Sequence, residues 1–199
     1  MRKSFFLLLI LVVSENCIAQ HDGIGFRLGA PVGMSYKKYI SNSTKAIEFG
    51  VGGMPRGIQQ QYYRSSFGKD KDFDNKDYKN HAVEGNLVLQ ARFLFHYPLV
   101  VEGVEGRFEW YWGAGAFMKI AKVDYTYTDN SSPNVQESKT ETDLDLGPEF
   151  PLGLEYTFED IPLTIFTEAS LFVEIANRPG IPAFYGGIGL RYNLFGGAL

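Results

Sequence analysis

The chain has little sulfur and few imidazoles, and it lacks a long apolar run. Its 199 residues include one cysteine, Cys17, and three histidines. Cys17 lies within a predicted signal peptide, so the rest of the chain offers no disulfide framework, catalytic thiol or thiolate metal site. His21, His81 and His96 show no ligand spacing, and we predict neither a metal site nor a cofactor. No apolar stretch reaches the roughly 20 residues of a membrane-spanning helix.

The N-terminus has the pattern of a secretory signal peptide. Basic residues at positions 2 and 3 precede an apolar run over 5–13, and Ala19 is a small residue suited to a cleavage site. We therefore expect residues 1–19 to be removed after Ala19 and residues 20–199 to form one domain. Without 1–19 the chain has 17 basic and 22 acidic residues. This acidic balance argues against nucleic acid as a partner.

Residues 82–97 alternate between apolar and polar side chains. Every second residue from Val83 to Tyr97 is apolar or glycine, while the interleaved set includes Glu84 and Arg92. Because successive side chains of a strand point to opposite faces, the segment is predicted to be a long strand with one apolar and one polar face. This profile is typical of a transmembrane barrel strand, with lipid outside and a polar lumen inside.

Seven further segments repeat the alternation, so that the predicted strands cover 23–29, 33–40, 46–53, 82–97, 108–122, 143–158, 163–175 and 183–194. Short turns and both termini fall at one end, whereas long polar connections fall at the other; the long ones are 54–81 and 123–142. Outer-membrane barrels have this loop asymmetry, and closure removes sheet edges that lipid cannot satisfy. We predict an all-β fold, an eight-stranded antiparallel up-and-down transmembrane β-barrel.

The turns also predict the strand register. A two-residue turn after segment 33–40 sets Lys37 opposite Glu48, and a two-residue turn at 160–161 sets Gly153 opposite Glu168. In both hairpins the polar faces of the two strands then coincide. Pro148 and Pro151 lack a backbone N–H to donate, and we expect a bulge or a local break where they occur.

The polar faces of the predicted strands carry both signs of charge. An eight-stranded barrel has an interior just wide enough for side chains, so we predict a structural network that fills the lumen, without catalytic residues. In that network Glu109 is the expected partner of Arg92. The predicted lumen residues are Arg27, Lys37, Glu48, Glu84, Arg92, Glu109, Lys119, Glu149, Glu155, Glu168, Glu174 and Arg191.

Aromatic residues form two further sets. One set falls on the apolar faces near the short-turn end, and we predict an interfacial girdle from Tyr97, Trp110, Trp112, Tyr156, Phe158 and Tyr192. The other set lies in the long connection 54–81, and its members either contact a surface partner or pack among themselves. They are Tyr62, Tyr63, Phe67, Phe73 and Tyr78.

Several segments carry a family likeness: GMSYK at 33–37, AIEFG at 46–50, WYWGAGA at 110–116, GLEY at 153–156, IPL at 161–163 and GLRY at 189–192. With them the chain resembles the small eight-stranded outer-membrane barrels of the OmpA/OmpX-like group, and the outer-membrane β-barrel proteins common in Bacteroidota. The resemblance implies the outer membrane of a Gram-negative bacterium, with its lipids and its barrel-assembly machinery as partners. Barrels of this group end on an aromatic residue, whereas here residues 196–199 follow Phe195.

These features favour a non-enzymatic outer-membrane barrel with a filled polar lumen and surface loops, in a structural or interaction role. Three alternatives stay open. The first is a lipid-A-modifying enzyme, which needs a Ser/His pair, although only His81 falls near the loop end. The second is a pore for small solutes. The third is a secreted lipocalin-like carrier, in which the same alternation would be inverted, with charges outward and an apolar cavity inside.

Overall fold

The computed structural model describes residues 22–41, 43–58, 60–68, 73–131, 135–176 and 179–194. The predicted signal peptide 1–19 with its cleavage site, His21 and the tail 196–199 lie outside these residues. What we infer for them from the sequence therefore stays a prediction.

Within the described residues the strands form a closed antiparallel barrel. Each strand pairs with the next along the chain, and the last pairs with the first. This confirms the predicted all-β, eight-stranded, up-and-down fold. In chain order the elements are β1 (Gly23–Gly29), β2 (Val32–Ile40), β3 (Lys45–Gly53), α1 (Gln60–Phe67), β4 (Lys76–Pro98), β5 (Arg107–Asp129), β6 (Gln136–Thr157), β7 (Leu163–Val173) and β8 (Pro182–Asn193).

The two ends of the barrel differ in their connections, as the sequence predicts. The turns after β2, β4 and β6 share one end with the start of β1 and the end of β8, and we call it the lower end. The connections after β3, β5 and β7 lie at the upper end, together with the tight link between β1 and β2. The predicted register is also confirmed, because Lys37 pairs with Glu48 and Gly153 pairs with Glu168.

Apolar side chains cover the outside of the barrel wall, and polar side chains fill the inside. On β5 the outward residues run from Trp110 to Ile120, a length that matches the roughly 9–11 residues of a tilted strand crossing a bilayer. Every strand exposes large apolar groups on this side, for example Phe26, Met34, Phe49, Phe93, Trp112, Leu152, Ile165 and Leu190. We call this surface the apolar band.

Three strands are longer than the alternation predicts. β4 begins at Lys76 rather than 82, β5 continues to Asp129 rather than 122, and β6 begins at Gln136 rather than 143. Their upper parts (76–86, 121–129 and 136–143) pair with one another above the end of β3, and we call them the upper sheet. Much of the predicted connection 123–142 is therefore sheet, together with the last residues, 76–81, of the predicted connection 54–81. The outer face of the upper sheet carries polar side chains such as Lys122, Asp124 and Thr126, while the apolar residues of β5, such as Val123, lie on the inner face. The apolar-outside pattern of the lower wall therefore does not continue into the upper sheet.

The helix α1 was not predicted, and it covers the inner face of the upper sheet. Tyr63 and Phe67 of α1, together with Phe73, are buried against Tyr125 and Tyr127 of β5. Phe67 stacks on Phe73 with ring centroids 4.3 Å apart. The aromatic residues of this connection therefore pack among themselves. The described part of the chain contains no helix that is long and apolar enough to cross a membrane.

A bulge moves one predicted lumen residue to the surface. The pairing of β4 with β5 shifts register between Val83 and Gly85, so Val83 faces inward opposite Val123, and Glu84 is exposed. The prediction that Glu84 lines the lumen is wrong. A bulge inserts one extra residue and inverts the alternation above it, which side-chain periodicity alone does not reveal.

Of the bulge or local break expected at the two prolines of β6, the structure has the local break but no bulge. Pro148 pairs with Ala116 and Pro151 pairs with Ser170, and the β5–β6 register is the same on both sides of them. The β5–β6 pairing is interrupted opposite Phe150 and Pro151, where an N–H is missing, and then resumes unchanged. The strand therefore tolerates the prolines without bending out of register.

Gly153 tests how tightly the lumen is packed. A Cβ at this position would lie 2.5 Å from the Tyr111 Oη atom and 2.7 Å from the Thr167 carbonyl oxygen. We expect Gly153→Val to lower the free energy of unfolding by about 1–3 kcal/mol, because overpacking forces side chains and backbone apart. Urea titration followed by gel mobility of the folded and unfolded forms measures the loss. Gly186→Val is the matched control, since the nearest atom to its added Cβ is 3.5 Å away. Equal losses would contradict the prediction.

Candidate functional site

The candidate site is a network of paired charges in the barrel interior. Eight predicted lumen residues meet there, four acidic and four basic: Arg27, Lys37, Glu48, Arg92, Glu149, Glu155, Glu168 and Arg191. We call this set the lumen network. It draws on every strand except β5, which contributes the hydroxyl of Tyr111 instead.

Arg92 lies at the centre of the lumen network. Its guanidinium donates to both carboxylate oxygens of Glu149, from Nη2 at 2.7 Å and from Nε at 3.0 Å. Its Nη1 atom lies 2.9 Å from Glu168 and 3.3 Å from Glu48. Arg27 reaches Glu168 at 2.7 Å from the opposite side. A planar guanidinium with five N–H donors suits such multiple pairing, which an ammonium group cannot reproduce.

The lower half of the lumen network centres on Glu155. Its carboxylate accepts hydrogen bonds from Lys37 Nζ at 2.7 Å, Tyr39 Oη at 2.5 Å and Arg191 Nη1 at 3.1 Å. Arg191 also donates to Glu48 at 2.8 Å, which joins the lower half to the Arg92 half. All these charged side chains are almost completely buried, so each charge depends on its partners instead of water.

Sequence reasoning missed three members that are not charged. Tyr39 donates to Glu155, Tyr111 donates to Glu168 at 2.8 Å, and Gln90 donates to Glu149 at 3.0 Å. Each lies on the polar face of its strand, so the alternation could have indicated them. The predicted network contained only Arg, Lys and Glu, although a buried carboxylate also needs neutral donors beyond its ion pair.

The predicted pairing of Arg92 with Glu109 is wrong, and Lys37 does not use its confirmed register neighbour as its ion-pair partner. Glu109 does not meet Arg92; it lies near the lower end, where its carboxylate is 3.0 Å from Arg107 Nε. Glu48 does not bind Lys37, its register neighbour, because Lys37 reaches across to Glu155. In a narrow barrel, long side chains cross the lumen, and their partners depend on strand tilt and side-chain length rather than on register.

An apolar layer lies above the lumen network. Phe117 of β5, Phe172 of β7 and Tyr185 of β8 stack across the interior, with Phe117 4.8 Å from Phe172 and 5.4 Å from Tyr185 between ring centroids. Val88 and Met54 complete the layer, and all five are buried. Ion pairs below and stacked rings above therefore fill the interior at two successive depths.

Two more predicted lumen residues, Lys119 and Glu174, lie above the apolar layer. Lys119 pairs with Asp145, and its ammonium group lies 4.8 Å from the centroid of the Tyr62 ring. The Tyr62 hydroxyl, which comes from α1, donates to Asp145 and, at 3.1 Å, to Glu174. These bonds fasten α1 onto the upper mouth of the barrel.

His81 lies under α1, above the level at which the apolar band of β4 ends. Its Nδ1 atom is 2.6 Å from the Tyr78 hydroxyl, and the rings of Tyr63 and Tyr125 lie beside it. Its buried Nε2 atom has no hydrogen-bond partner. Burial lowers the pKa of the His81 imidazole below its ordinary value of 6.5. The contacts described for His81 are those of a packed aromatic group.

Within the described residues, one group has donor atoms close enough together to hold a metal ion, within 4.8 Å of one another. It consists of His96, Glu109 and Glu155. Glu155, however, already accepts bonds from Lys37, Tyr39 and Arg191. Two cations at hydrogen-bond distance offset its charge and would repel a metal ion. We therefore assign no metal to this group, and the prediction that the chain holds none is unchanged.

No family model and no curated protein matches the chain. Among solved structures, the chain is similar to the N-terminal β-barrel domain of OprF from Pseudomonas aeruginosa, at 10% identity over 88% of this chain and 96% of that one, with a TM-score of 0.49. It is also similar to Ail, the attachment invasion locus protein of Yersinia pestis, solved with the heparin analogue sucrose octasulfate, at 10% identity over 87% and 94% of the chains, with a TM-score of 0.42. Both are distant likenesses, and nothing about ligands or activity of this chain follows from them.

Replacing the central guanidinium tests the lumen network. Arg92→Met removes the guanidinium that pairs with Glu149 and Glu168. Removing one partner of a buried ion pair lowers the free energy of unfolding by about 3–5 kcal/mol. We expect the free energy of unfolding in urea to fall by that amount. The control is Glu141→Gln, which breaks a half-exposed pair with Lys139, where about 0–1 kcal/mol is expected. Similar losses in both variants would refute a central role for Arg92.

The depressed pKa of His81 predicts that the contact between α1 and the upper sheet weakens in acid. An unfolded histidine titrates near 6.5, so below that pH the unfolded form binds more protons, and stability is lost as the pH falls through the lower pKa of the folded form. The protection factors of the α1 amides, which are exchange rates corrected for their intrinsic pH dependence, should therefore fall between pH 7 and pH 5. His81→Gln should remove the pH dependence. An imidazole NMR titration of His81 with a midpoint at or above 6.5 would contradict it.

Proposed function

We propose that the chain is an integral outer-membrane β-barrel protein of a Gram-negative bacterium, with a sealed lumen and a surface-exposed upper sheet. Its role is structural or interactive, and it is not an enzyme. The observation that carries the proposal is the polarity of the wall, apolar outside and ion-paired inside. A water-soluble protein rarely exposes contiguous apolar area on this scale, whereas a lipid environment requires it.

The wall polarity also bears on the secreted-carrier alternative. A lipocalin-like carrier needs an apolar cavity inside and charges outside. In this barrel the interior holds Arg92, Arg191 and their carboxylates, while Phe49 and Leu152 are more than half exposed. An apolar ligand inside the barrel would meet the buried charges of the lumen network. This interior therefore does not offer the apolar cavity that a carrier needs.

The packing of the lumen argues against a solute pore. An ion that crossed the barrel would have to displace the Arg92 pairs and then pass the stacked rings of Phe117 and Tyr185. Neither layer leaves room for a hydrated ion, because ion-paired side chains fill the lower layer and close ring contacts fill the upper one. We propose that small solutes do not pass.

The surroundings of His81 argue against the lipid-A-modifying enzyme. A Ser/His pair needs a serine hydroxyl at the imidazole, whereas the described neighbours of His81 are Tyr63, Tyr78 and Tyr125. Its ring is also buried under α1 and does not face the bilayer.

The outer face of the upper sheet is the surface we propose for an interaction role. It carries short hydroxyl side chains, Thr126, Thr140 and Thr142, beside Lys122 and Asp124. Its open edges are guarded against pairing with other strands, because β4 has bulges at both register shifts and the edge of β6 carries the Lys139–Glu141 pair. A partner would therefore contact the polar face rather than extend the sheet. The buried aromatic residues of 54–81 pack between α1 and the upper sheet, so they cannot contact such a partner.

Cell fractionation tests the location. The chain should be recovered with outer-membrane lipids, should depend on the barrel-assembly machinery, and should migrate on gels at different positions before and after boiling. Lipid A from a strain lacking the protein should have an unchanged mass spectrum. A soluble periplasmic protein would refute the membrane proposal, and altered lipid A would refute the claim that the protein is not an enzyme.

Planar-bilayer recording tests the sealed lumen. We expect no unitary conductance from the purified, folded chain, since the Arg92 pairs and the Phe117 layer exclude water from the axis. Insertion is checked separately by the gel mobility of protein recovered from the bilayer lipids. Reproducible current steps that scale with protein would contradict the prediction.

A further inference from the structure

The turn between β4 and β5 differs from the other turns at the lower end. It carries four exposed aliphatic side chains, and Val100 is 95% exposed. The neighbouring turn 158–162 has one exposed aliphatic residue, Ile161, beside Glu159 and Asp160, and the turn 41–44 has a polar sequence. The four aliphatic residues are Leu99, Val100, Val101 and Val104.

This apolar turn continues the apolar band without interruption. Leu99 donates its backbone N–H to the Phe108 carbonyl at 2.8 Å, one pair beyond Pro98 and Glu109. Leu99 and Phe108 therefore lie next to Tyr97 and Trp110 on the same outward face. The rings of Tyr97 and Trp110 stack with centroids 4.7 Å apart on the outer face. The outward row of side chains therefore runs from the girdle into the turn.

A hydrogen bond folds the turn toward the outside of the barrel. Tyr156, whose side chain lies on the outer face of β6, donates its hydroxyl to the Glu105 carbonyl. Gly106, at φ +89°, fits against the same ring, since a Cβ there would lie 3.1 Å from the Tyr156 hydroxyl. The turn is thus held beside the apolar band rather than beneath the lumen.

We propose that the β4–β5 turn inserts into the interfacial region of the inner leaflet and anchors the lower end of the barrel there. This inference rests on the proposed membrane location. The partner is zwitterionic phospholipid, because continuity with the apolar band supplies acyl-chain contact, while Glu102 and Glu105 in the same turn would be repelled by anionic headgroups.

Single-cysteine labelling tests the anchor. In the full chain with Cys17→Ser, a bimane fluorophore is attached at Val100→Cys, at Asp160→Cys in the neighbouring turn, or at Leu152→Cys in the apolar band. Each protein is reconstituted in phosphatidylcholine vesicles. We expect the Val100 label to be quenched by lipids brominated near the headgroup and to be several-fold less quenched by iodide than the Asp160 label. Both turn labels lie at the same end of the barrel, so the direction in which the protein inserts into the vesicles affects their iodide quenching equally.

The three labels separate the possible outcomes. If the Leu152 label is quenched by brominated lipid while the Val100 label behaves like the Asp160 label, the barrel is in the bilayer and the anchor is refuted; a protein partner would then be the occupant of the turn. If the Leu152 label is not quenched, both the membrane location and the anchor are refuted.

A second variant tests the role of Tyr156. Tyr156→Phe removes the hydroxyl that holds the Glu105 carbonyl, and the Val100 label should then become more accessible to iodide. Tyr97→Phe is the matched control, because it changes a girdle tyrosine of the same face and should leave the label unchanged. An unchanged label in Tyr156→Phe would refute the positioning role.

Discussion

The structure depends on the mutual neutralisation of charges inside a closed wall. The four carboxylates of the lumen network are buried beyond the reach of bulk water, and each meets at least one guanidinium or ammonium group. The partners are far apart in sequence, as Arg191 and Glu48 show, so they meet only when the sheet is closed in the correct register. A slip of one residue would turn an entire strand's charges toward the apolar side. The ion pairs therefore form only in the closed barrel, and only one strand register allows the barrel to close with its charges paired.

The apolar side of the wall is the complementary constraint. In the membrane location proposed above, lipid would contact the large outward side chains of the wall, in the place of a soluble protein's core. The wall also rises above the apolar band. There the chain covers the inner face of the upper sheet with α1, and Tyr62 fastens the helix to Asp145 and Glu174. At the lower end the opposite occurs, because Val100 and its neighbours remain uncovered by protein.

Much of the wall could be predicted from period-two alternation, because the two faces meet solvents of opposite polarity. The lumen residues were also found this way, since a charged side chain between apolar neighbours must face inward. Their partners could not be found. Alternation gives the face of Arg92 but not the depth of Glu149 or Glu168 across the lumen, which depends on tilt and side-chain reach. Glu84 was misplaced because a bulge inverts the alternation, and no residue type signals it.

The sequence by itself determined the strand count, the antiparallel order, the register of two hairpins and, apart from Glu84 beside the bulge, the side of the wall on which the predicted lumen charges lie. Those properties follow from local alternation and turn length. Only the tertiary structure decided that Arg92 pairs with three carboxylates, that α1 closes the upper mouth, and that Tyr156 folds the β4–β5 turn outward. These contacts join segments distant in sequence, and their geometry exists only after the barrel has closed.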